Sequence, residues 1–469
     1  MMWDLKKYGS RIAVKDEFGN SLSYLELDNK ANNIASIVSK RCLVFSLCRN
    51  EIGSLVGYVA FLNNNIVPVM LNSHLDRELL NSLLSAYNPA YLWVPCENKE
   101  EFVGTEVYSE FGYSLIKTNY DKNFEMNPDL CLLLTTSGST GSPKFVRQSY
   151  KNVKANAEAI ASYLELTDKE RPITTLPMNY TYGLSIINSH LLVGATILQT
   201  DKGLMQKEFW NFFKENEATS FGGVPYTYEM LDRLRFYRMN LPSLSYMTQA
   251  GGKLTPELHK KFAQYAQDSG KKFIVMYGQC EATARMGYLP AEASLEKCGS
   301  MGIAIPGGKF SLIDANGNVI TTPNTTGELV YEGPNVTMGY AECGADLIKG
   351  DERGGILQTG DMAQVDEDGY YYIVGRKKRF LKIYGNRVNL DEIDRLLKEK
   401  FNNLDVASSG VDDHMYIFIT NPDLSKEVLD FVVEKTGLNQ IAFKVIVISD
   451  IPKNDAGKVL YKELTKYYA

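Results

Sequence analysis

Thr135 Thr136 Ser137 Gly138 Ser139 Thr140 Gly141 Ser142 Pro143 Lys144 follows the apolar segment 130–134 and packs hydroxyls, glycines and a lysine into one turn. Glycines let backbone N–H groups face an anion without side-chain obstruction, hydroxyls add donors, and a lysine supplies a point charge. The composition is that of a phosphate cradle. Standing alone, such a cluster reads equally well as an ordinary surface loop, so its meaning depends on the rest of the chain.

Two familiar phosphate motifs are excluded by spacing. A Walker A loop needs GxxxxGK followed by Ser or Thr, and neither the Lys144 nor the Lys458 region has that order. A dinucleotide fingerprint needs GxGxxG between a strand and a helix, and none is placed that way.

At 469 residues the chain exceeds a single hydrophobic core, which predicts two or more domains. With 44% hydrophobic and 23% charged residues it has the composition of an ordinary globular protein. A net charge of −6 argues against a nucleic-acid surface and favours a small-molecule partner. Residues 1–9 are polar and carry lysines without an apolar run, so neither a secretion signal nor a membrane anchor is expected, and the expected location is cytoplasmic. The seven cysteines lie far apart with no CxxC pair, the pattern of reduced thiols rather than of a zinc site or disulfide framework. Four scattered histidines make no metal cluster, so any metal should arrive with a nucleotide, as magnesium does in phosphate sites.

Hydrophobic periodicity gives the organisation. A helix is predicted at 25–39, a strand at 42–47, a helix at 52–62 and a strand at 66–71. This alternation predicts a parallel sheet, and the fold class is α/β. A similar rhythm returns at 173–177, 185–192 and 196–199, and again at 245–250, 256–267 and 273–277. After Gly327 short strands with turn residues take over, including Asp368 Gly369 leading into 370–374, which predicts a β-rich subdomain. The run Arg376 Lys377 Lys378 Arg379 reads mostly as a solvated basic face. Beyond it, helices at 390–401 and 426–435 and strands at 415–420 and 444–449 make a small α+β domain. The expected division is a large N-terminal domain of layered α/β subdomains plus the β-rich part, residues 1–376, and a small C-terminal domain, residues 377–469, joined at 376–378.

Further motifs follow the first loop in a fixed order. Tyr277 Gly278 Gln279 Cys280 Glu281 succeeds the apolar run 273–276; then come Thr359 Gly360 Asp361, Gly375 Arg376, Lys382 with Gly385, and Asn454 Asp455 Ala456 Gly457 Lys458. In this order and spacing, and with Leu22 Ser23 Tyr24 Leu25 Glu26 Leu27 near the start, the chain resembles the adenylate-forming superfamily of acyl-CoA synthetases, peptide-synthetase adenylation domains and luciferases. The resemblance covers nearly the whole chain.

The resemblance implies an enzyme that joins a carboxylic acid to the AMP moiety of ATP, releases pyrophosphate, and passes the acyl group to a thiol, either coenzyme A or the phosphopantetheine of an acyl or peptidyl carrier protein. It implies that Thr136, Ser137, Gly138, Ser139, Thr140, Gly141 and Lys144 cradle the β- and γ-phosphates. Tyr277, with Gly278 and Gln279, would pack against adenine, and Glu281 would bind Mg2+. Asp361 would accept the ribose hydroxyls, a task suited to a carboxylate with two acceptor oxygens. Arg376 would lie near the ribose and phosphate. Lys458 would stabilise charge on the α-phosphate and bridging oxygen, with Thr136 and Glu281 as its catalytic companions. The C-terminal domain would be mobile, with Lys378 as its hinge and Lys382 and Gly385 on the loop serving the thiol. Ala250 Gly251 Gly252 resembles the glycine-rich segment beside adenine, and reads equally as a plain turn.

Pro177 Met178 Asn179 Tyr180 Thr181 Tyr182 Gly183 Leu184 resembles the motif lining the acyl pocket, and Val224 and Pro225 join it as candidate substrate contacts. Amino-acid-activating relatives carry an aspartate where Thr181 stands, to pair with the substrate ammonium. Its absence favours a neutral acyl or aryl acid. Two alternatives remain open: an amino-acid-activating enzyme loading a separate carrier, and a catalytically weak adenylate-binding sensor. The chain also departs from the family at Phe145, where glycine is usual; at Cys280, where threonine is usual; and at Tyr461, where an arginine often follows the catalytic lysine. A thiol donates more weakly than a hydroxyl, a loss of ~1 kcal/mol.

Overall fold

The computed structural model describes residues 2–120, 124–135, 144–384, 386–402, 404–454 and 457–468, with Lys378 and Arg387 described by their backbone alone. The chain forms two compact units. One comprises Met1–Phe310 with Tyr331–Leu357, the other Ser311–Val330 with Gln358–Ala469. The junction expected at 376–378 falls inside the second of these.

In the first unit the predicted α/β alternation forms closely as read: helix Tyr24–Val38, strand Leu43–Cys48, helix Ile52–Asn63 and strand Val67–Asn72. Ser23 caps the first helix by accepting from the Glu26 N–H, while the Glu26 carboxylate accepts from the Ser23 N–H at 2.8 Å. Such reciprocal capping satisfies two otherwise orphan donors. In helix Ile52–Asn63, residues 52–62 are all buried, so the helix is core on every face.

The central sheet is mixed rather than parallel, correcting the sequence expectation. Its order is Gly339–Ala341, Phe145–Ser149, Leu130–Thr135, Val67–Asn72, Leu43–Cys48, Tyr91–Pro95, Tyr113–Thr118, Gly104–Glu110. The four middle strands run parallel, whereas both flanks are antiparallel. Chain length between strands is the reason. Residues 136–144 are too few for a crossover, which takes about a dozen or more residues, so the chain returns antiparallel. At the other edge Phe111 and Gly112 both take positive φ, 48° and 73°, making the two-residue turn that favours a hairpin.

A second sheet in this unit joins Ser220–Gly223, Tyr246–Gln249 and Lys272–Tyr277 in parallel, extended antiparallel by Gly287–Tyr288 and Ile303–Ala304. The strand expected at 173–177 is absent; Pro172 and Ile173 make isolated bridges only. The helix expected at 185–192 begins earlier, spanning Thr181–Val193.

The second unit holds most of a four-stranded sheet, Lys309–Ile313, Gly327–Glu332, Ile356–Val365 and Tyr371–Arg376. It also holds the antiparallel strand pair Phe380–Ile383 with Asn386–Asn389, and a three-stranded sheet, Val406–Val411, His414–Ile419 and Phe443–Val447. Helices Leu390–Lys400 and Ser425–Thr436 pack onto the latter through Ile393, Leu397, Val428 and Val432. Among the described residues no helix is long and apolar enough to cross a membrane.

Candidate active site

Lys144 immediately precedes strand Phe145–Ser149, and its ammonium lies 3.5 Å from the centroid of the Tyr340 ring. Residues 136–141 of the expected phosphate cradle lie outside the described residues. The Tyr340 hydroxyl donates to the Glu281 carboxylate at 2.7 Å. Burial, with Glu281 beside it, pushes the Tyr340 phenol up to about 12, so it remains a neutral donor at physiological pH. Arg353 stacks on the same ring at 4.8 Å. The Glu281 backbone carbonyl accepts from the Thr337 N–H at 3.0 Å, the Thr337 hydroxyl at 2.9 Å and the Arg353 guanidinium at 3.0 Å. Glu281 is thus fixed at both its main chain and its side chain. Sequence reasoning missed Thr337, Tyr340 and Arg353, which stand more than fifty residues downstream and belong to no motif read there.

The turn that carries Glu281 has a steric requirement. A Cβ on Gly278 would fall 1.6 Å from the Ala284 carbonyl oxygen, so only glycine lets the two segments touch. Thr283 and Ala284 both take positive φ, 54° and 93°, folding the chain back after Glu281. The Cys280 thiol is buried and donates to the Thr135 carbonyl at 3.6 Å, tying this turn to the strand that precedes the first loop. Tyr277 is half-buried, accepts from the Gln279 amide at 3.2 Å and meets Phe310 edge-on at 6.3 Å.

Tyr180, Val224 and Gly251 come together. Gly251 has φ +86°, and a Cβ there would lie 2.8 Å from the Tyr180 hydroxyl and 3.1 Å from a Val224 methyl. Gly252 lies against Pro225, the first residue of helix Pro225–Arg233. Thr181 is half-buried and Gly183 buried in the first turn of helix Thr181–Val193. The Tyr182 hydroxyl bonds the Thr248 hydroxyl at 2.8 Å, and Arg285 stacks on the Tyr182 ring at 5.2 Å.

In the second unit, Asp361 and Arg376 are direct cross-strand partners, and their side chains approach to 3.4 Å. Asp361 is buried within strand Ile356–Val365, directly after Gly360 at φ 70°. The Lys458 N–H donates to the Asn454 side chain at 2.9 Å, and its carbonyl accepts from the Asn454 N–H at 2.9 Å. Lys382 lies exposed on strand Phe380–Ile383, its N–H donating to Asp412 at 2.8 Å. Gly385 and the side chain of Lys378 lie outside the described residues.

In the run 376–379, read from the sequence as mostly a solvated basic face, Arg376 and Lys377 are exposed, and the reading is corrected at Arg379. Arg379 is buried, pairs with Asp391 at 2.8 Å and Asp394 at 2.9 Å, and stacks on Tyr461 at 3.8 Å. Tyr461, out of pattern in the sequence, packs over this guanidinium. Lys377 pairs with Glu328 at 2.7 Å.

Among the described residues no group of three or more His, Cys, Asp or Glu side chains could hold a metal by itself. A single restrained carboxylate such as Glu281 fits Mg2+, which keeps several waters and takes further ligands from substrate phosphates.

Residues 2–341 match the family model described as AMP-binding enzyme, and the chain belongs to that family. It is 25% identical over 478 residues to 2-succinylbenzoate–CoA ligase of Oceanobacillus iheyensis, covering 97% of this chain and 96% of the relative. It is 26% identical over 354 residues to the probable CoA ligase CCL9 of Humulus lupulus, where 72% of this chain spans 66% of that protein's length. In fold it is similar to o-succinylbenzoate CoA synthetase (MenE) from Bacillus subtilis. The structure in complex with the acyl-adenylate intermediate OSB-AMP gives a TM-score of 0.79 at 22% identity, covering 99% and 97% of the two chains. The structure with ATP and magnesium ion gives 0.78 at 21%, covering 98% of each.

Proposed function

We propose that this chain is an AMP-forming acid:thiol ligase with coenzyme A as the acceptor. The observation that carries the reading is the doubly anchored Glu281, joined through the Tyr340 ring to Lys144. A carboxylate and an ammonium held on one aromatic platform suit an Mg2+–triphosphate. The acid's carboxylate oxygen attacks the α-phosphorus, the bond from that phosphorus to the bridging oxygen breaks, and pyrophosphate leaves with the electron pair. The thiolate then attacks the acyl carbon and AMP departs. Both steps demand alignment and neutralisation of phosphate charge more than covalent help from the protein.

Bound Mg2+ would neutralise charge on the phosphates. Glu281 would hold it; Lys144, with Thr136, Ser137, Gly138, Ser139, Thr140 and Gly141, would hold the β- and γ-phosphates. Tyr277, Gly278, Gln279, Gly251 and Gly252 would line the adenine site, and Asp361 with Arg376 the ribose. Lys458 would face the α-phosphate, with Lys378 as a hinge and Lys382 and Gly385 along the thiol channel. The acid would lie against Tyr180, Thr181, Tyr182, Gly183, Val224 and Pro225. The relatives reported above are named as coenzyme A ligases, which supports coenzyme A over a carrier protein.

Mass spectrometry of products tests the reading. With ATP, Mg2+ and a panel of acids, acyl-AMP is expected from at least one acid, and addition of coenzyme A should convert it to acyl-CoA and AMP. ADP as the product, or no nucleotide product with any acid, would overturn it.

A further inference from the structure

Arg285 is 2% exposed. Its Nε donates to the Ser185 hydroxyl at 3.2 Å, and its Nη1 reaches the Tyr163 hydroxyl at 2.9 Å and the Met276 sulfur at 3.2 Å. All of these are neutral. Among the described residues no carboxylate lies within ion-pair distance of this guanidinium, and its Nη2 has no acceptor.

The other titratable groups around it carry no negative charge at neutral pH. Burial pushes the Tyr182 phenol up to about 12 and the neighbouring His190 down to about 4, while Tyr163 and Tyr246 are also raised by burial. A guanidinium does not shed its proton in proteins. A buried, permanently charged group without a counter-ion is expensive, so proteins pair such charges.

Its location says what the missing partner is. Tyr163, Tyr182 and Met276 belong to one apolar cluster, which also contains Tyr180 and Val224, assigned above to the acid. The Arg285 carbonyl is pinned by the Asn156 and Asn335 amides at 2.8 and 3.0 Å, so the residue is held there from two other segments. The guanidinium lies against the first turns of helix Thr181–Val193, whose cap residue Tyr180 makes no side-chain capping bond. The positive end of that helix draws negative charge to the same place.

We propose that Arg285 reads a second carboxylate on the acid, so that the substrate is a dicarboxylic acid, one carboxylate adenylated and the other paired with the guanidinium. This rests on the ligase reading above and replaces the expectation of a neutral acyl or aryl acid. Arg285 is a specificity residue in this account, with no part in the bond-making steps.

The test measures pyrophosphate release with ATP and Mg2+ for succinate, glutarate, adipate and phthalate, each against its half-amide, in wild type, Arg285→Met and Arg285→Lys. Wild type should prefer one diacid over its half-amide by about a hundredfold to a thousandfold in kcat/KM. Arg285→Met should reduce that preference to within about tenfold, and Arg285→Lys should keep part of it. Melting temperature supplies a readout independent of turnover. Without ligand, Arg285→Met should melt no lower than wild type, because a buried unpaired charge has been removed. The preferred diacid should raise the melting temperature of wild type and leave that of Arg285→Met unmoved. Equal turnover of diacids and half-amides by wild type would overturn the proposal, as would a lowered melting temperature in Arg285→Met with selectivity intact. If no acid supports release, the ligase reading fails, and absence of a diacid-dependent melting shift in wild type would then overturn this proposal separately.

Discussion

Tyr340→Phe deletes one oxygen and leaves the ring beneath Lys144 and Arg353 in place, so it isolates the hydrogen bond to Glu281. That bond is 2.7 Å long and ends on a carboxylate. Hydrogen bonds to charged groups contribute about 1.5–3 kcal/mol. Tyr340 and Glu281 are both half-buried, which places the loss at the lower end, about 1.5 kcal/mol, or roughly tenfold at 1.4 kcal/mol per decade. With Glu281 as the Mg2+ carboxylate, the loss should appear as a roughly tenfold fall in kcat/KM for adenylation and a rise in the Mg2+ concentration giving half-maximal rate. The assay is a magnesium titration of pyrophosphate release with wild type and variant at saturating ATP. Tyr340→Leu also removes the cation–π contacts of Lys144 and Arg353, and should cost a further ~0.5–2 kcal/mol. A Tyr340→Phe enzyme with unchanged rate and unchanged magnesium dependence would refute the reasoning, because Glu281 would then need no anchoring.

Gly278→Ala places a methyl 1.6 Å from a carbonyl oxygen, so the Glu281 turn has to move; ATP-dependent thermal stabilisation should be lost, as read by differential scanning fluorimetry. His190 is buried and held neutral, its pKa lowered to about 4, with Nδ1 2.7 Å from the Ile186 carbonyl and Nε2 3.0 Å from the Tyr246 hydroxyl. Between pH 6.5 and 4 the unfolded chain takes up a proton that the native imidazole refuses, so stability is lost as pH falls through that window. At pH 5 the loss is about 2 kcal/mol, from 1.36 kcal/mol per unit. His190→Gln should flatten that part of the pH dependence of urea unfolding.

The sequence carried the α/β alternation because its helices and buried strands differ in period and length, and segments such as 25–39 and 52–62 formed within a residue or two of their expected ends. It did not carry strand direction, which follows from loop length and from the Phe111–Gly112 turn. The motif residues were legible as an ordered set, and the structure brings Asp361 beside Arg376 and Tyr180 beside Val224 and Gly251. Tyr340, Arg353 and Arg285 were not legible. Their roles depend on contacts across long separations, Tyr340 to Glu281 and Arg285 to Tyr163, that no local spacing encodes. Arg379 was misread for the same reason, since only the packing of helix Leu390–Lys400 supplies its two carboxylates.

The most direct test of the central claim is pyrophosphate release from ATP and Mg2+ across diacids, monoacids, aryl acids and amino acids, with the intact protein beside Lys458→Ala. Release that requires one class of acid and falls by orders of magnitude in the variant is the predicted result. Release independent of any acid, or equal in both proteins, would contradict the account.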